Sequence, residues 1–583
     1  MKQNKQYSHT KYRPHLPLSL SDRTWPDRVI ERAPHWCSVD LRDGNQALIE
    51  PMTVAQKLRL FDLLVRVGFK EIEVGFPAAS QTDFDFVREL IEKDLVPGDV
   101  TLQVLVQARE DLIARTYESV RGVRRAIVHV YNSTSTVQRE KVFCMDRQGI
   151  KDIAVNGAKL VQQYAARQPA SEWVFQYSPE SFTGTEIDYA IDVCNAVIDV
   201  WQPTAEQPVI INLPATVEMT TPNVYADQIE YFGRKVKQRD AVVLSLHTHN
   251  DRGCAVAAAE LAVQGGADRV EGTLLGNGER TGNMDIVTMG MNLYSRGVDP
   301  QLDFSNIDEI IQVVKAVTNL PVHPRHPYAG ELVFTAFSGS HQDAIKKSLA
   351  LQKDDEPWDV AYLPIDPADL GRSYQEVIRI NSQSGKGGIA YVLEQAHGLH
   401  LPRWLQIDFS TVVQRYAESS ESEVSPAGIW QLFKQHYIEQ QAPLALKSFS
   451  MNHCDGRDHL EAMLLHNGQE LAVSANGAGV VESFVSALSQ LLGEDLVLVD
   501  YSEHAVTNSA SSDAACYVQM NVHGQRLCGV GLSTDIVDAT LQAILCAINS
   551  YLREQPAAQL QPASIAGKAP QTGEHAVEAS ASN

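Results

Sequence analysis

Two histidines, His247 and His249, follow the apolar stretch 242–246, whose β-branched and aliphatic residues predict a buried strand. Side chains two residues apart on a strand point the same way, so both imidazoles share a face. Two converging imidazoles supply two ligands of a metal site if an oxygen ligand arrives from another element. A His-x-His pair by itself is more often two solvated polar residues at a strand end, so the rest of the chain has to decide between these interpretations.

Composition limits the class of protein. A chain of 583 residues is too long for one core, so we expect two to four domains. A net charge of -23 argues against a nucleic-acid or anionic-membrane partner. No apolar run is long enough for a signal peptide or a membrane span, and the eight cysteines form no Cys-x-x-Cys pair, which fits a reducing compartment. We therefore expect a soluble, cytoplasmic enzyme.

Residues 31–302 alternate short apolar stretches with helical patterns. The predicted strands are 35–41, 71–76, 101–107, 126–131, 173–177, 208–213, 242–246 and 268–274. Eight strand and helix units in about 260 residues predict an α/β fold of the (β/α)8 TIM-barrel class, whose chemistry lies on the loops after the strands. A doubly wound open sheet would alternate in the same way, but no Gly-x-Gly-x-x-Gly follows the first strand.

Polar clusters follow the predicted strands and none precedes one, as a barrel mouth requires. This asymmetry favours a functional role for His247 and His249. Asp43, after strand one, can supply the oxygen ligand of a site that suits Mg²⁺, Mn²⁺ or Zn²⁺. Open metal positions would let a 2-oxo acid chelate, and Arg42 could then stabilise the alkoxide formed when a carbon nucleophile adds. The alternative for Arg42 is a structural ion pair inside the mouth.

Three further regions surround the barrel. Residues 1–30 are polar and proline-containing, and we expect an arm over a neighbouring surface. Residues 303–430 read as a helical linker subdomain whose dense polar clusters suggest that it returns to the barrel mouth. The tail, 555–583, is rich in Ala, Gln, Pro and Ser and is predicted to be disordered.

Residues 431–554 contain an internal repeat at an offset of 56, in which 466–471 aligns with 522–527 and 480–482 with 536–538. Each copy reads as a hairpin turned at Gly468 or Gly524, a glycine-containing loop and an amphipathic helix, which predicts a duplicated α+β domain. Two such copies leave a seam where backbone groups near four glycines could meet a small ligand such as an amino acid: Gly477, Gly479, Gly529 and Gly531. The alternative is that the domain only dimerises the protein.

The runs 40–46, 247–251 and 276–283 resemble those of the metal-dependent acyl-CoA condensing barrels, and most closely those of the 2-isopropylmalate synthase family. The likeness extends through the helical linker and the duplicated domain. Asn45 stands where many members of the superfamily carry Glu, as in the long-chain branch of that family. This residue counts against a homocitrate or citramalate synthase without excluding either.

The resemblance implies an acyltransferase that condenses acetyl-CoA with 3-methyl-2-oxobutanoate, the first committed step of leucine biosynthesis. It implies a divalent metal on Asp43, His247 and His249 with Asn283 as a nearby oxygen donor, an oxyanion partner in Arg42, and an oxo-acid pocket lined by His129, Ser178, Glu180 and Thr216. Glu180 is one candidate base. His341 and Tyr374 are candidate proton-transfer groups that reach the barrel mouth of the other subunit of a homodimer.

The resemblance further implies that leucine, the end product, binds the duplicated domain as a feedback inhibitor. Two other functions stay open at this point. One is a lyase of the same superfamily, and the other is a metal-free metabolite sensor with a vestigial barrel. The intact ligand set at separate strand ends disfavours the sensor, since drift would be expected to erase one ligand.

Overall fold

A computed structural model describes residues 9–12, 15, 18–372, 386–420, 424–454, 456–506 and 513–554. The chain forms two compact units. The barrel unit consists of Met1–Phe334 and Pro364–Ser373, and the C-terminal unit of Thr335–Leu363 and Tyr374–Asn583. Tyr374 and the predicted disordered tail lie outside the described residues.

The barrel unit contains a closed barrel in which each strand pairs in parallel with the next and β8 returns to β1. The strands are β1 His35–Ser38, β2 Glu71–Gly75, β3 Thr101–Gln107, β4 Arg125–Ser133, β5 Glu172–Glu180, β6 Val209–Ala215, β7 Val242–Thr248 and β8 Arg269–Gly272. The main helices are Val54–Val67, Gln81–Glu92, Glu110–Ser119, Arg147–Ala166, Ile187–Trp201, Pro222–Lys235, Ala255–Gln264, Ile286–Tyr294 and Ile307–Thr318. The predicted (β/α)8 barrel is confirmed.

Alternation along the strands separates an apolar shell from a polar interior. On β7, Leu244 and Leu246 are fully buried among apolar side chains, whereas Ser245 and His247 bond across to Arg269 and Glu271 of β8. Both sets are buried, because helices cover the outside and the opposite strands close the inside. The interior of this barrel is therefore held by hydrogen bonds as well as by packing.

The first strand is shorter than predicted. It ends at Ser38, and a π-helical turn, Asp40–Gly44, follows it. The Val39 carbonyl accepts from the backbone N–H groups of Arg42, Asp43 and Gly44 at 3.2, 2.9 and 3.1 Å. Because three N–H groups share this one acceptor, the chain leaves the strand three residues earlier than predicted. Arg42 and Asp43 therefore lie on a tight turn.

The described part of residues 1–30 lies against the barrel helix Pro222–Lys235. Trp25 is buried, and its indole N–H donates to Asp227 at 2.7 Å. Glu230, on the same helix, accepts from the backbone N–H groups of Thr24 and Trp25 at 3.0 and 3.1 Å. Buried carboxylates thus hold this segment in place.

The C-terminal unit begins with the helices Gly339–Leu351, Lys386–His397, Arg403–Ser420 and Pro426–Phe433. Two β-β-β-α copies follow them, each with an antiparallel three-stranded sheet. The strands are β9 Leu444–Cys454, β10 Arg457–His466, β11 Gln469–Gly477, β12 Leu496–Ala505, β13 Ala514–Val522 and β14 Gln525–Ser533, and the helices are Val480–Leu492 and Ile536–Glu554. The predicted duplication is confirmed, and each copy has one more strand than the hairpin predicted from the repeat.

Three of the four seam glycines lie in strands and not in the predicted glycine-containing loops, namely Gly477 in β11 and the other two in β14. Gly529 and Gly531 are inside β14, and a Cβ there would stand 2.0 Å from the Ala543 carbonyl and 1.9 Å from the Ala539 carbonyl. Only glycine lets the helix Ile536–Glu554 approach this strand so closely. Gly477 ends β11, and Gly479 precedes the helix of the first copy.

Among the helices of the described residues, none combines the length and the apolar character that a membrane span requires.

We expect Gly531→Ala to destabilise the protein and Gly479→Ala to leave its stability unchanged. The added methyl group at Gly531 would overlap a helix carbonyl, and overpacking of this kind costs about 1–3 kcal/mol. At Gly479 the backbone is extended and no atom lies within 4 Å of the new Cβ, so the change should stay within about 0.5 kcal/mol. Urea unfolding of the full chain measures both, and equal midpoints for the two variants would contradict the packing role.

Candidate active site

Three potential metal ligands converge at the carboxyl ends of β1 and β7. The Nε2 atoms of His247 and His249 both lie 3.3 Å from Oδ2 of Asp43. The ligand atoms of the three buried residues lie within 4.8 Å of one another. The two strands therefore open at the same mouth, as the sequence required, and the cluster could hold one divalent ion.

Asn283, a predicted oxygen donor to the metal, is paired through its backbone with a residue of this cluster. It forms an isolated backbone bridge with His249, and its N–H donates to the Gly276 carbonyl at 3.1 Å. Gly282 makes this turn possible, because its φ is +101° and a Cβ there would stand 2.0 Å from that same carbonyl. Among the described residues, the buried Oδ1 of Asn283 has no hydrogen-bond partner. An unpartnered buried amide oxygen, on a residue bridged to His249, is the kind of donor that a divalent cation accepts.

Arg42 links the cluster to the barrel interior. It donates to Asp43 at 2.5 Å and also forms a short ion pair with Glu73. Burial would raise the pKa of Asp43, but the charge of Arg42 and bonds from His247 and His249 hold that pKa well below its ordinary value. Burial also opposes ionisation of Glu73, and Arg42 and His129 lower its pKa in turn. Both carboxylates are therefore ionised beside a guanidinium that cannot reorient freely.

His129 and Ser178 form the opposite wall. The Nε2 of His129 lies 2.7 Å from the Ser178 hydroxyl, and its Nδ1 lies 3.1 Å from Glu73. Asn212 also donates to the Ser178 hydroxyl, at 3.0 Å. These contacts fix the hydroxyl and the imidazole at one height of the barrel, where they can bind oxygen atoms of a small ligand.

Glu180 and Thr216 lie nearer the rim. Glu180 is the last residue of β5, and its carboxylate accepts a short hydrogen bond from the Ser133 hydroxyl. The Thr216 hydroxyl follows β6 and accepts from the Ser181 N–H at 2.9 Å. Both side chains are thereby held at the entrance.

One cavity of about 600 Å³ joins these residues. From the predicted set it is lined by Arg42, Asp43, His129, Ser178, Glu180, Thr216, His247 and His249. Apolar side chains, among them Leu105 and Pro214, complete its wall. The volume and the mixed lining are typical of a small-molecule site.

Of the two proton-transfer groups predicted in the linker, His341 is not among the residues that line this cavity. His341 lies in the first turn of the helix Gly339–Leu351 in the C-terminal unit, where it is exposed and stacks on Tyr362 with ring centroids 4.0 Å apart. Tyr374 lies outside the described residues. The four seam glycines belong to the C-terminal unit.

Sequence reasoning missed the polar residues beneath the cavity. Glu73, Gln103, Arg269 and Glu271 are fully or almost fully buried on β2, β3 and β8 and bond to one another or to the site. A signal was present, since Glu71 and Glu73, and Arg269 and Glu271, are pairs two residues apart within apolar strands. Charges at that spacing inside buried strands indicate a polar barrel interior.

Comparison with known families divides the chain into three matches. The HMGL-like family matches residues 33–314, which include the entire barrel. The family described as alpha-isopropylmalate synthase, post-catalytic domain-like, matches 331–394, and the LeuA allosteric (dimerisation) domain matches 423–552. The fold and the site thus define a barrel enzyme of the HMGL-like class with an appended LeuA domain.

Full-length relatives identify the family within that class. A 2-isopropylmalate synthase of Rhodospirillum rubrum is 55% identical over 546 residues, which cover 92% of this chain and 98% of the relative. A 2-isopropylmalate synthase of a Parafrankia species is 56% identical over 552 residues, covering 93% and 98%, and that of Paraburkholderia xenovorans is 54% identical over 548 residues, covering 93% and 95%. The chain belongs to the 2-isopropylmalate synthase family.

We expect His249→Ala to weaken the binding of Mn²⁺ to chelator-treated protein by at least about tenfold, because one of three close ligand atoms is lost. Its melting temperature should change little, since a ligand at a strand end contributes little to the core. Calorimetric titration with Mn²⁺ measures the affinity, and the half-buried His459 on β10 provides a matched control as His459→Ala. Equal Mn²⁺ affinity in wild type and His249→Ala would rule out the metal site.

Proposed function

We propose that this chain condenses acetyl-CoA with 3-methyl-2-oxobutanoate, with water, to give 2-isopropylmalate and CoA. The observation that carries the proposal is the convergence of Asp43, His247 and His249 with Arg42 in a single 600 Å³ cavity of mixed polar and apolar lining. The names of the full-length relatives support the same reaction. By this proposal, the chain performs the first committed step of leucine biosynthesis.

Asp43, His247 and His249 would hold a divalent ion, with Asn283 Oδ1 as a further oxygen donor. Mg²⁺ is our first choice, with Mn²⁺ and Zn²⁺ as alternatives, because a mixed oxygen and nitrogen donor set accepts all three. When bound, such an ion polarises the carbonyl of the 2-oxo acid. The unpartnered Oδ1 of Asn283 and the ionised Asp43 support this assignment.

Arg42 would stabilise the negative charge that develops on the carbonyl oxygen as the acetyl carbon adds. Its guanidinium is held by Asp43 and Glu73, so no reorganisation is needed when the charge appears. A donor fixed in advance in a site shielded from water contributes more than the same donor in solution. Its ion pairs therefore orient Arg42 for this role.

The remaining cavity walls would recognise the polar groups of both substrates and the side chain of the oxo acid. His129, Ser178, Glu180 and Thr216 present polar atoms for the oxo acid and for the acetyl group. Leu105 and Pro214 line the same cavity and suit a branched aliphatic side chain. This combination favours a short branched 2-oxo acid over a dicarboxylic one.

The proton of the acetyl methyl group is weakly acidic, so its removal requires a well-placed base. Glu180 is one candidate, because it lines the cavity. His341 and Tyr374 are the others, acting across a homodimer on the barrel mouth of the other subunit. The exposure of His341 at the start of its helix supports a role outside its own unit.

Leucine would inhibit the enzyme by binding the duplicated domain beside Gly477 and Gly479. Gly529 and Gly531 are not part of the site we propose, because they pack directly against the helix Ile536–Glu554. The two β-β-β-α copies support a symmetrical arrangement with a seam between them, and the match to a LeuA allosteric (dimerisation) domain supports control there. Inhibition through a distant site is a coupling between two equilibria, typically worth about 1–3 kcal/mol. Leucine should therefore lower activity without simple competition with the oxo acid.

A thiol-trapping assay for CoA released from acetyl-CoA tests the reaction. Release should require a divalent ion, prefer 3-methyl-2-oxobutanoate over pyruvate and 2-oxoglutarate, and fall when leucine is added. Arg42→Met should lose about 10²–10³-fold in kcat, whereas Arg66→Met, at an exposed position of the helix Val54–Val67, should not. A preference for pyruvate or 2-oxoglutarate would indicate a citramalate or homocitrate synthase, and cleavage of a hydroxyacyl-CoA without condensation would indicate a lyase.

Mixed subunits test the assignment of His341. Asp43→Ala chains and His341→Ala chains should each be inactive, and dimers formed from both should recover part of the activity, because some mouths then receive both intact parts. The control is a mixture of Asp43→Ala and His249→Ala chains. Both barrel mouths of every mixed dimer then lack a metal ligand, so no activity should return. Mixed dimers without recovered activity would place His341 in its own barrel or outside the reaction.

A further inference from the structure

The carboxylate of Glu271 lies at the centre of the barrel and is completely buried. Its Oε1 accepts from Arg269, Gln176 and Gln103 at 2.8, 2.8 and 3.1 Å. Its Oε2 accepts from His247 Nδ1 at 2.8 Å and from Asn212 at 3.3 Å. Five donors from five different strands thus meet on one side chain.

The bond to His247 decides how that imidazole can act. Because Nδ1 donates to the Glu271 carboxylate, that nitrogen keeps its proton and Nε2, which faces Asp43, is the atom left to bind an ion once it gives up the proton it shares with Asp43. Nε2 is the atom that lies 3.3 Å from Asp43. Glu271 therefore sets both the tautomer and the ring orientation of a ligand.

Two chains of hydrogen bonds connect the Glu271 carboxylate to residues that we propose bind the oxo acid. Asn212 donates to both Glu271 and the Ser178 hydroxyl. Gln103 donates to both Glu271 and Glu73, and Glu73 in turn binds Arg42 and His129. The metal ligands and the substrate wall are therefore two ends of one hydrogen-bonded network.

The amides around Glu271 are oriented for its charge. Among the described residues, the buried carbonyl oxygens of Gln176 and Asn212 have no partner, although their NH₂ groups are bonded. Leaving two buried acceptors unpaired is unfavourable unless the opposite orientation is worse. Turning either amide would direct a carbonyl oxygen at the Glu271 carboxylate, so the observed orientation follows from an ionised group at this position.

We propose that Glu271 is a positioning residue of the reaction, which fixes His247 for the metal and Asn212 and Ser178 for the oxo acid at the same time. The effect on the oxo acid rests on the proposed function. The effect on metal binding can be measured without turnover. Arg269, bonded to Glu71 and Glu271 beneath the site, supplies the balancing charge. Loss of the Glu271 charge should therefore weaken both the binding of the metal and the binding of the oxo acid.

Glu271→Gln in the full-length protein tests this. The amide keeps the shape but removes the charge and presents a donor where the acceptors stood. Affinity for Mn²⁺, measured by calorimetry on chelator-treated protein, should fall about 10–100-fold. At saturating Mn²⁺, the KM for 3-methyl-2-oxobutanoate should still be raised above that of wild type.

The matched control is Glu230→Gln, which also removes a buried carboxylate with several donors but lies on the outer helix Pro222–Lys235. It should lower the melting temperature while leaving both the Mn²⁺ affinity and the KM as in wild type. Glu271→Gln with wild-type Mn²⁺ affinity, or with a wild-type KM once Mn²⁺ saturates, would overturn the proposal.

If Glu271→Gln does not fold, Glu271→Asp keeps the negative charge beside Arg269 but draws the carboxylate away from His247 and Asn212. The same losses are expected in it, and wild-type values would overturn the proposal. Failure of the proposed function looks different. Wild-type protein would then release no CoA with any 2-oxo acid, while the Mn²⁺ titrations of wild type and Glu271→Gln would still differ.

Discussion

Ionised side chains inside the barrel are shielded from bulk solvent, so each has to be matched by a charged or polar neighbour. Arg269 lies between Glu71 and Glu271, and Arg42 lies between Glu73 and Asp43. Removing one member would leave a buried charge unpaired. The geometry of the mouth therefore depends on charge pairing in the layers below it as much as on the strands that carry the ligands.

The loops above the interior are pinned by the same kind of contact. Lys57 is fully buried, and its ammonium donates to the Leu41 carbonyl at 2.6 Å and pairs with Asp83 at 2.7 Å. Asp83 also accepts from the Phe76 N–H at 2.8 Å. One buried ion pair thus ties the turn that carries Arg42 and Asp43 to the loop after β2.

The two copies of the C-terminal unit have diverged where their surroundings differ. Tyr517 and Val530 of the second sheet pack against the helices Arg403–Ser420 and Pro426–Phe433. The aligned residues of the first sheet, Glu461 and Ser474, are polar and exposed. The fold of the repeat is kept because both copies contribute to one inner core. The polarity of the residues on the outer face of each sheet depends on whether helices or solvent cover that face.

Local patterns in the chain were enough to predict the barrel, the duplicated unit and the polar clusters at the strand ends. These features are readable because strand periodicity, turn residues and the order of elements are properties of neighbouring residues. His247 and His249 could be assigned to one face from their spacing alone. Asp43 could be added because closed barrels bring all carboxyl ends of their strands to one mouth.

Which side chains meet across the barrel depended on the tertiary structure. The central position of Glu271 requires the registers of β3, β5, β6, β7 and β8 together, and no local pattern contains them. The early end of β1 depends on three N–H groups sharing the Val39 carbonyl, and the place of Gly529 and Gly531 depends on how closely a helix packs on β14. Contacts between distant segments are set by packing and by charge pairing in three dimensions, so they became visible only in the folded chain.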